Sequence, residues 1–216
     1  LNEQLIPIIE DAFKSLALEK TTMPPILRLD IKKYHGESDV KAAYIEGLDS
    51  YAIKVASGFF NNPRLGLPSS NGLMILLDSK TGVLKSVLLD KGYLTDVRTA
   101  IAGAIAAKHL SNPESSNVGI IGAGIQAKMQ LEALLLVRNI KSAYVWSRNS
   151  KKTNTFVENL KEKINIKINA CESPEETVNS SEILITTTPS KSPIIKSEWL
   201  KKGLHITAMG SDAEMK

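Results

Sequence analysis

The chain has 216 residues, 43% hydrophobic and 23% charged, a usage that fits globular folds and excludes a disordered tail, a collagen-like chain and a disulfide scaffold. Its 27 basic and 23 acidic residues leave a net charge of +4. The lysine pairs Lys32-Lys33, Lys151-Lys152 and Lys201-Lys202 are scattered near acids, so nucleic acid is not an expected partner. The single Cys171 allows no internal disulfide, and His35, His109 and His205 are too dispersed for a metal site to be expected. No apolar run approaches the roughly 18 residues of a membrane span, so no membrane partner is expected. The amino end lacks a basic-then-apolar signal pattern, and a reducing, cytoplasmic setting is expected.

The chain opens within an amphipathic helical pattern (Leu5, Ile8, Ile9, Ala12, Phe13, Leu16) and stops at Lys216 without closing an element, which reads as a fragment of a longer protein. Pro24-Pro25 ends the helical period. Short runs of β-branched and alternating apolar residues then predict strands over 26–31, 40–45, 51–57, 72–78 and 84–89. Brief turns between them, such as Gly47-Leu48-Asp49 and Ser79-Lys80-Thr81-Gly82, predict an antiparallel or mixed sheet. Over 95–110 the period becomes helical, with Thr95 as N-cap. The polar stretch 111–117 reads as a linker. Beyond it, strands over 118–121, 143–146, 166–168, 183–186 and 205–208 alternate with helices over 125–137, 151–163 and 174–179 and a helical turn at 197–200. That alternation predicts an α/β chain: a Rossmann-like, doubly wound domain preceded by an α+β domain.

The strongest chemical motif is Gly122-Ala123-Gly124-Ile125-Gln126-Ala127, placed directly after an apolar strand and at the start of a helix. In that context Gly122 permits a tight turn and Gly124 permits close approach of a pyrophosphate. Ala127 allows the helix to pack on the strand, and Ile125 and Gln126 open a helix whose N-terminus faces the anion. A plain glycine turn between strand and helix is the alternative. The second strand of such a unit normally ends in an acid that binds the adenosine ribose. Here Ser147-Arg148-Asn149-Ser150 offers a guanidinium instead, which suits a 2′-phosphate and makes NADP(H) the preferred cofactor, with NAD(H) possible. The bland reading of Arg148 is a solvent-facing side chain. Thr187 and Thr188, and Met209 and Gly210, follow later strands on the same rim, where they would contact the nicotinamide half. Asp212 lies just beyond, as a proton-handling carboxylate, as an N-cap for an element starting at Ala213, or as both. In the first half, Arg28, Lys41, Lys54 and Arg98 are cations in apolar or small surroundings. Lys54 lies within a strand run, where a charge needs a partner or a cavity. If they converge, they suit a small carboxylate.

Arg28, Lys54 before Gly58-Phe59-Phe60-Asn61-Asn62-Pro63, then Gly66-Leu67-Pro68-Ser69-Ser70-Asn71-Gly72, then Thr95-Asp96-Val97-Arg98-Thr99, the glycine loop and Gly210-Ser211-Asp212 follow one another in order. Across essentially its whole length the chain therefore resembles the ornithine cyclodeaminase/mu-crystallin family. The resemblance implies a substrate-binding and dimerising domain over 1–112, lacking its C-terminal return, and a truncated NAD(P)-binding Rossmann domain over 113–216. It implies a homodimer acting by hydride transfer at the Cα–N bond of a small amino or imino acid, as a cyclodeaminase, a ketimine or pyrroline-2-carboxylate reductase, or an alanine dehydrogenase. The non-catalytic alternative is an NADPH and small-ligand binder of the mu-crystallin type. By the same resemblance Arg28, Lys54 and Arg98 hold the substrate carboxylate, Ser69 lines the site, Thr99 contacts the cofactor, and Asp212 and Lys54 are the catalytic candidates. Lys41 stands where the ornithine enzyme has a glutamate, which disfavours a diamine substrate.

Overall fold

The computed structural model describes residues 1–210. The elements in chain order are α1 (Leu5–Ala17), β1 (Thr21–Thr22), β2 (Leu27–Ile31), β3 (Gly36–Ile45), β4 (Ser50–Phe59), β5 (Ser70–Asp78), β6 (Leu84–Leu88) and α2 (Tyr93–Leu110). They continue as β7 (Asn117–Ile121), α3 (Ile125–Leu134), β8 (Ser142–Trp146), α4 (Ser150–Lys161), β9 (Lys167–Ala170), α5 (Pro174–Asn179), β10 (Ile183–Thr186) and β11 (His205–Ala208). The chain divides into two compact units, Ile8–Val97, and Leu1–Pro7 with Arg98–Lys216.

In the unit Ile8–Val97 the strands form an antiparallel sheet in the order β1-β3-β4-β5-β6, with β2 added along the first half of β3. β3 and β4 run longer than the apolar pattern predicts, because Glu37, Ser38, Asp39 and Gly58 extend the ladder without hydrophobic alternation. Val97 is the one buried apolar side chain among the described residues of this unit, and the sheet side chains are half-buried or exposed on both faces. The helix predicted from an N-cap at Thr95 begins earlier, at Tyr93. The Asp90 carboxylate takes the Leu94 amide at 2.7 Å and the Gly92 amide at 3.3 Å, so the cap is Asp90 and Thr95 lies inside the first turn.

The other unit carries a parallel sheet in the order β11-β10-β7-β8-β9, in which the first strand is central and the chain winds outward in both directions. Its central strands are continuous apolar runs because both faces are covered: Val118, Ile120, Ile121, Ile183 and Leu184 are all at 0% exposure. Ala127, Leu131 and Leu134 of α3 and Val157 and Leu160 of α4 pack into one core with Val118, Val145 and Ile183. Val178 of α5 packs with Ile121 and Leu184 in another. The helix expected over 125–137 ends as an α-helix at Leu134 and finishes in tighter turns, Leu136 N to Ala133 O and Val137 N to Leu134 O. α5 starts on a reciprocal cap: Ser173 Oγ accepts from the Glu176 amide at 3.0 Å, and the Glu176 carboxylate accepts from the Glu172 amide at 2.9 Å.

A carboxylate latch closes the lower edge of this sheet. Glu182 Oε2 accepts from the amides of Ser116 at 2.8 Å and Asn117 at 2.9 Å and from Asn117 Nδ2 at 3.1 Å, joining the entries to β7 and β10. The Ser116 amide, with those of Asn117, holds the Glu182 carboxyl below its ordinary pKa. We expect Glu182→Ala to cost about 1 kcal/mol, discounted for solvent screening, and to lower the melting temperature by about 2–4 °C. A folded pKa below the unfolded one means this contribution is full above about pH 4.3 and disappears as pH falls through the folded value. Thermal melts of parent and variant should therefore differ at neutral pH and converge in acid. A gap that is independent of pH contradicts the latch.

Candidate functional site

β7 and β10 are neighbours from which the chain winds in opposite directions, so a crevice opens beyond their carboxyl ends, where open α/β sheets hold ligands. The glycine loop sits there. The Gly122 amide donates to Trp146 O at 2.8 Å and the Thr187 amide to Ile121 O at 2.9 Å, so the loop is tied to the strands on both sides. Gly122 has φ +130, and a Cβ on it would collide with Thr187 Oγ1, so the fold itself requires a glycine. Gly124 differs. It has φ −112, which any residue adopts, and a Cβ there would meet nothing within 4 Å. Neither backbone conformation nor packing requires a glycine at this position. It precedes α3, whose start has no side-chain cap and no acid in its first turn. A missing Cβ at the start of a helix without a side-chain cap fits a close-approaching phosphate.

The neighbouring strand ends frame this loop. Thr187 and Thr188 are half-buried, and Gly210 packs its Cα against Thr188 O while its amide donates to Thr186 O at 2.9 Å. Met209 is half-buried beside it, and Ile125, at 57% exposure, opens α3 as an exposed apolar residue. Arg148 is exposed at the end of β8. Ser147 and Asn149, on either side of it, are engaged in the turn: Ser147 Oγ lies 2.7 Å from Thr153 Oγ1, and Asn149 Oδ1 accepts from the Lys152 amide at 3.0 Å. Asp212 lies outside the described residues.

One residue escaped the sequence reading. Gln130 is 1% exposed, donates to Thr99 O at 3.0 Å and to Gln126 Oε1 at 3.3 Å, and leaves its own Oε1 buried without a partner over Gly103. It ties Thr99 on α2 to Gln126 in the loop helix, two positions expected at the cofactor. A glutamine on the Ala127, Leu131, Leu134 face of α3 is the signal that marks it.

In the unit Ile8–Val97, Arg28, Lys41 and Lys54 share one face of the sheet. Arg28 is directly opposite Asp39, and Lys41 directly opposite Lys54. Asp39 is flanked by Arg28 Nη1 at 3.8 Å and Lys41 Nζ at 3.2 Å, and Arg28 also pairs with Asp30 and Glu37. The hydrogen bond that Arg28 donates to Asp30, then the Glu37 charge, raises the Arg28 pKa further. Ser69 lies just before β5, with its carbonyl accepting from the Phe59 amide at 2.7 Å. Arg98, exposed on α2, falls in the other unit.

The two glycines make separable predictions. Gly122→Ala should lower stability by about 1–3 kcal/mol, from positive φ and the Thr187 clash. Gly124→Ala should cost much less stability, limited to its N-cap preference, and on the phosphate fit above should weaken nucleotide binding. Melting curves read beside nucleotide titrations check both. Equal destabilisation by the two changes contradicts the assignment of Gly124 to a ligand.

The match to a family model, that of the ornithine cyclodeaminase/mu-crystallin family, extends over residues 1–216. A protein of Rhizobium meliloti (strain 1021) named as a dehydrogenase is 52% identical over 216 residues, covering 100% of this chain and 66% of its own length. Among solved structures, the Thermococcus litoralis Δ1-pyrroline-2-carboxylate reductase in complex with NADH and L-proline superposes with a TM-score of 0.90 at 34% identity, covering 95% of this chain and 64% of that one. An archaeal alanine dehydrogenase dimer with bound NAD superposes with a TM-score of 0.85 at 34% identity, covering 95% and 62%. The chain thus spans about two thirds of the length of the proteins it matches. Full-length agreement with the family pattern, on the fold and loop described above, shows that the chain belongs to the ornithine cyclodeaminase/mu-crystallin family.

Proposed function

We propose that the protein to which this chain belongs is a nicotinamide-dependent enzyme that transfers a hydride at the Cα–N bond of a small amino or imino acid, in the cytoplasm, as a homodimer. The observation that carries the reading is Gly124. It is a glycine that the fold does not require, placed before uncapped helix amides at the point where the sheet reverses direction. The family and the NADH- and NAD-bound relatives support it.

In this reading residues 113–216 form the dinucleotide domain. Gly122, Gly124, Ile125 and Gln126 hold the pyrophosphate, and Thr99, Thr187, Thr188, Met209 and Gly210 hold the nicotinamide half. The bound nicotinamide supplies or accepts the hydride. Residues 1–112 form the substrate and dimerisation domain. Arg28, Lys54 and Arg98 pair with the substrate carboxylate, Ser69 lines the pocket, Asp212 moves the proton at nitrogen, and Lys54 assists as the second catalytic candidate. Lys41 opposite Lys54 makes this surface unfavourable for a second substrate cation, so a small neutral or acidic side chain, or a cyclic imine, suits it better than a diamine. The homodimer accounts for the half-exposed apolar face formed by Val40, Ile53, Val55, Leu73 and Ile75.

The test is turnover by the full-length protein on a panel of amino acids and cyclic or linear ketimines. A reductase or dehydrogenase converts the nicotinamide stoichiometrically with product, whereas a cyclodeaminase releases ammonia without net conversion. No product from any panel member overturns the enzyme reading and leaves a binder. Arg148 sets the preference for NADP(H) here, so Arg148→Ala should weaken NADPH about tenfold, roughly 1.4 kcal/mol, and leave NADH nearly unchanged. Equal loss of both, or equal affinity of the parent for both, overturns the cofactor preference.

A further inference from the structure

A groove of about 520 Å³ runs between α3 and α4 and begins at the glycine loop. Gly124 lines it from the loop, Lys128 from α3, and Lys152, Phe156 and Lys163 from α4 and its end, with no carboxylate among the lining residues. Lys128 is partly neutralised by Glu132 at 3.6 Å. Lys152 has no ion-pair partner among the described residues. It stands four residues beyond Arg148, and its backbone is held locally: its amide donates to the Asn149 side chain, and the Ser147 and Thr153 hydroxyls pair beside it. The first turn of α4 contains no acid to compensate the lysine. A ligand passing over Gly124 therefore has Lys152 on the facing wall, with the exposed Arg148 four residues earlier, just beyond β8.

We propose that Lys152 is a second phosphate-reading cation of the dinucleotide site, acting with Arg148 on the 2′-phosphate of NADP(H) and setting discrimination against NAD(H). This rests on the dinucleotide reading above. Arginine grips a phosphate through a planar fork, whereas lysine adds a compact point charge, so the two are complementary on one dianion. Lys163 lies 11 residues further along, about 16 Å down the helix, too far to share the same phosphate.

The experiment is calorimetric titration of the full-length protein with 2′,5′-ADP and with 5′-AMP, for the parent, Lys152→Ala, Lys152→Arg and Lys163→Ala, with melting curves in parallel. Alanine is a better helix former than lysine and leaves the Asn149 cap to the backbone amide, so Lys152→Ala retains the fold. Lys152→Ala should weaken 2′,5′-ADP about fivefold to tenfold and change 5′-AMP by less than twofold. Lys152→Arg should keep most of the affinity, and Lys163→Ala should change neither ligand. Equal changes in both ligands for Lys152→Ala, or none in either, overturn the assignment while leaving the dinucleotide site standing. A parent that binds neither these nucleotides nor NADPH and NADH overturns both.

Discussion

Ile121 ends β7 with its carbonyl taken by the Thr187 amide, and the next amide, Gly122, donates across to Trp146. The chain thus leaves the parallel sheet pinned from both neighbouring strands and turns through a φ that a side chain would make strained. Everything proposed for the nucleotide depends on this turn. It sets the start of α3, which has no side-chain cap, beyond the end of β7, and it brings the end of β10, with Thr187, alongside the loop. Gly210, pressed against Thr188 O, repeats the same close approach one strand further out.

The two units solve their burial problem differently. The parallel sheet covers both faces with its own helices, and its central side chains are fully removed from water. The antiparallel sheet keeps apolar side chains half-exposed, a state that a sheet corrects by packing against another layer. Its charged face is balanced internally: Asp39 stands between Arg28 and Lys41, with Asp30 and Glu37 also on Arg28. Under the proposed function, an incoming carboxylate would have to compete with these acids for Arg28.

The parallel strands were legible in sequence because continuous burial writes continuous apolar runs, as at 118–121 and 183–186. The glycine loop was legible because its context, strand before and helix after, is local. What escaped was written in polar residues. The first halves of β3 and the end of β4 are ladder segments of Glu, Ser, Asp and Gly that no hydrophobic period marks, and β1 is only Thr21–Thr22. Asp90 outcompetes Thr95 as a cap because its carboxylate reaches two amides. The Glu182 latch and the Gln130 bridge join residues 65 and 31 positions apart, a separation that local pattern does not express. Within the candidate site, the roles of Gly122 and Gly124 look alike in the motif and separate only when the space around each is known.

The account stands on a dinucleotide lying over Gly124 at the start of α3, and amide hydrogen exchange of the full-length protein with and without NADPH reads this directly. Protection is predicted at residues 122–127 and 187–188, with β9, at the far edge of the sheet, unchanged. Binding without protection of the 122–127 amides, or protection confined to other segments, contradicts it.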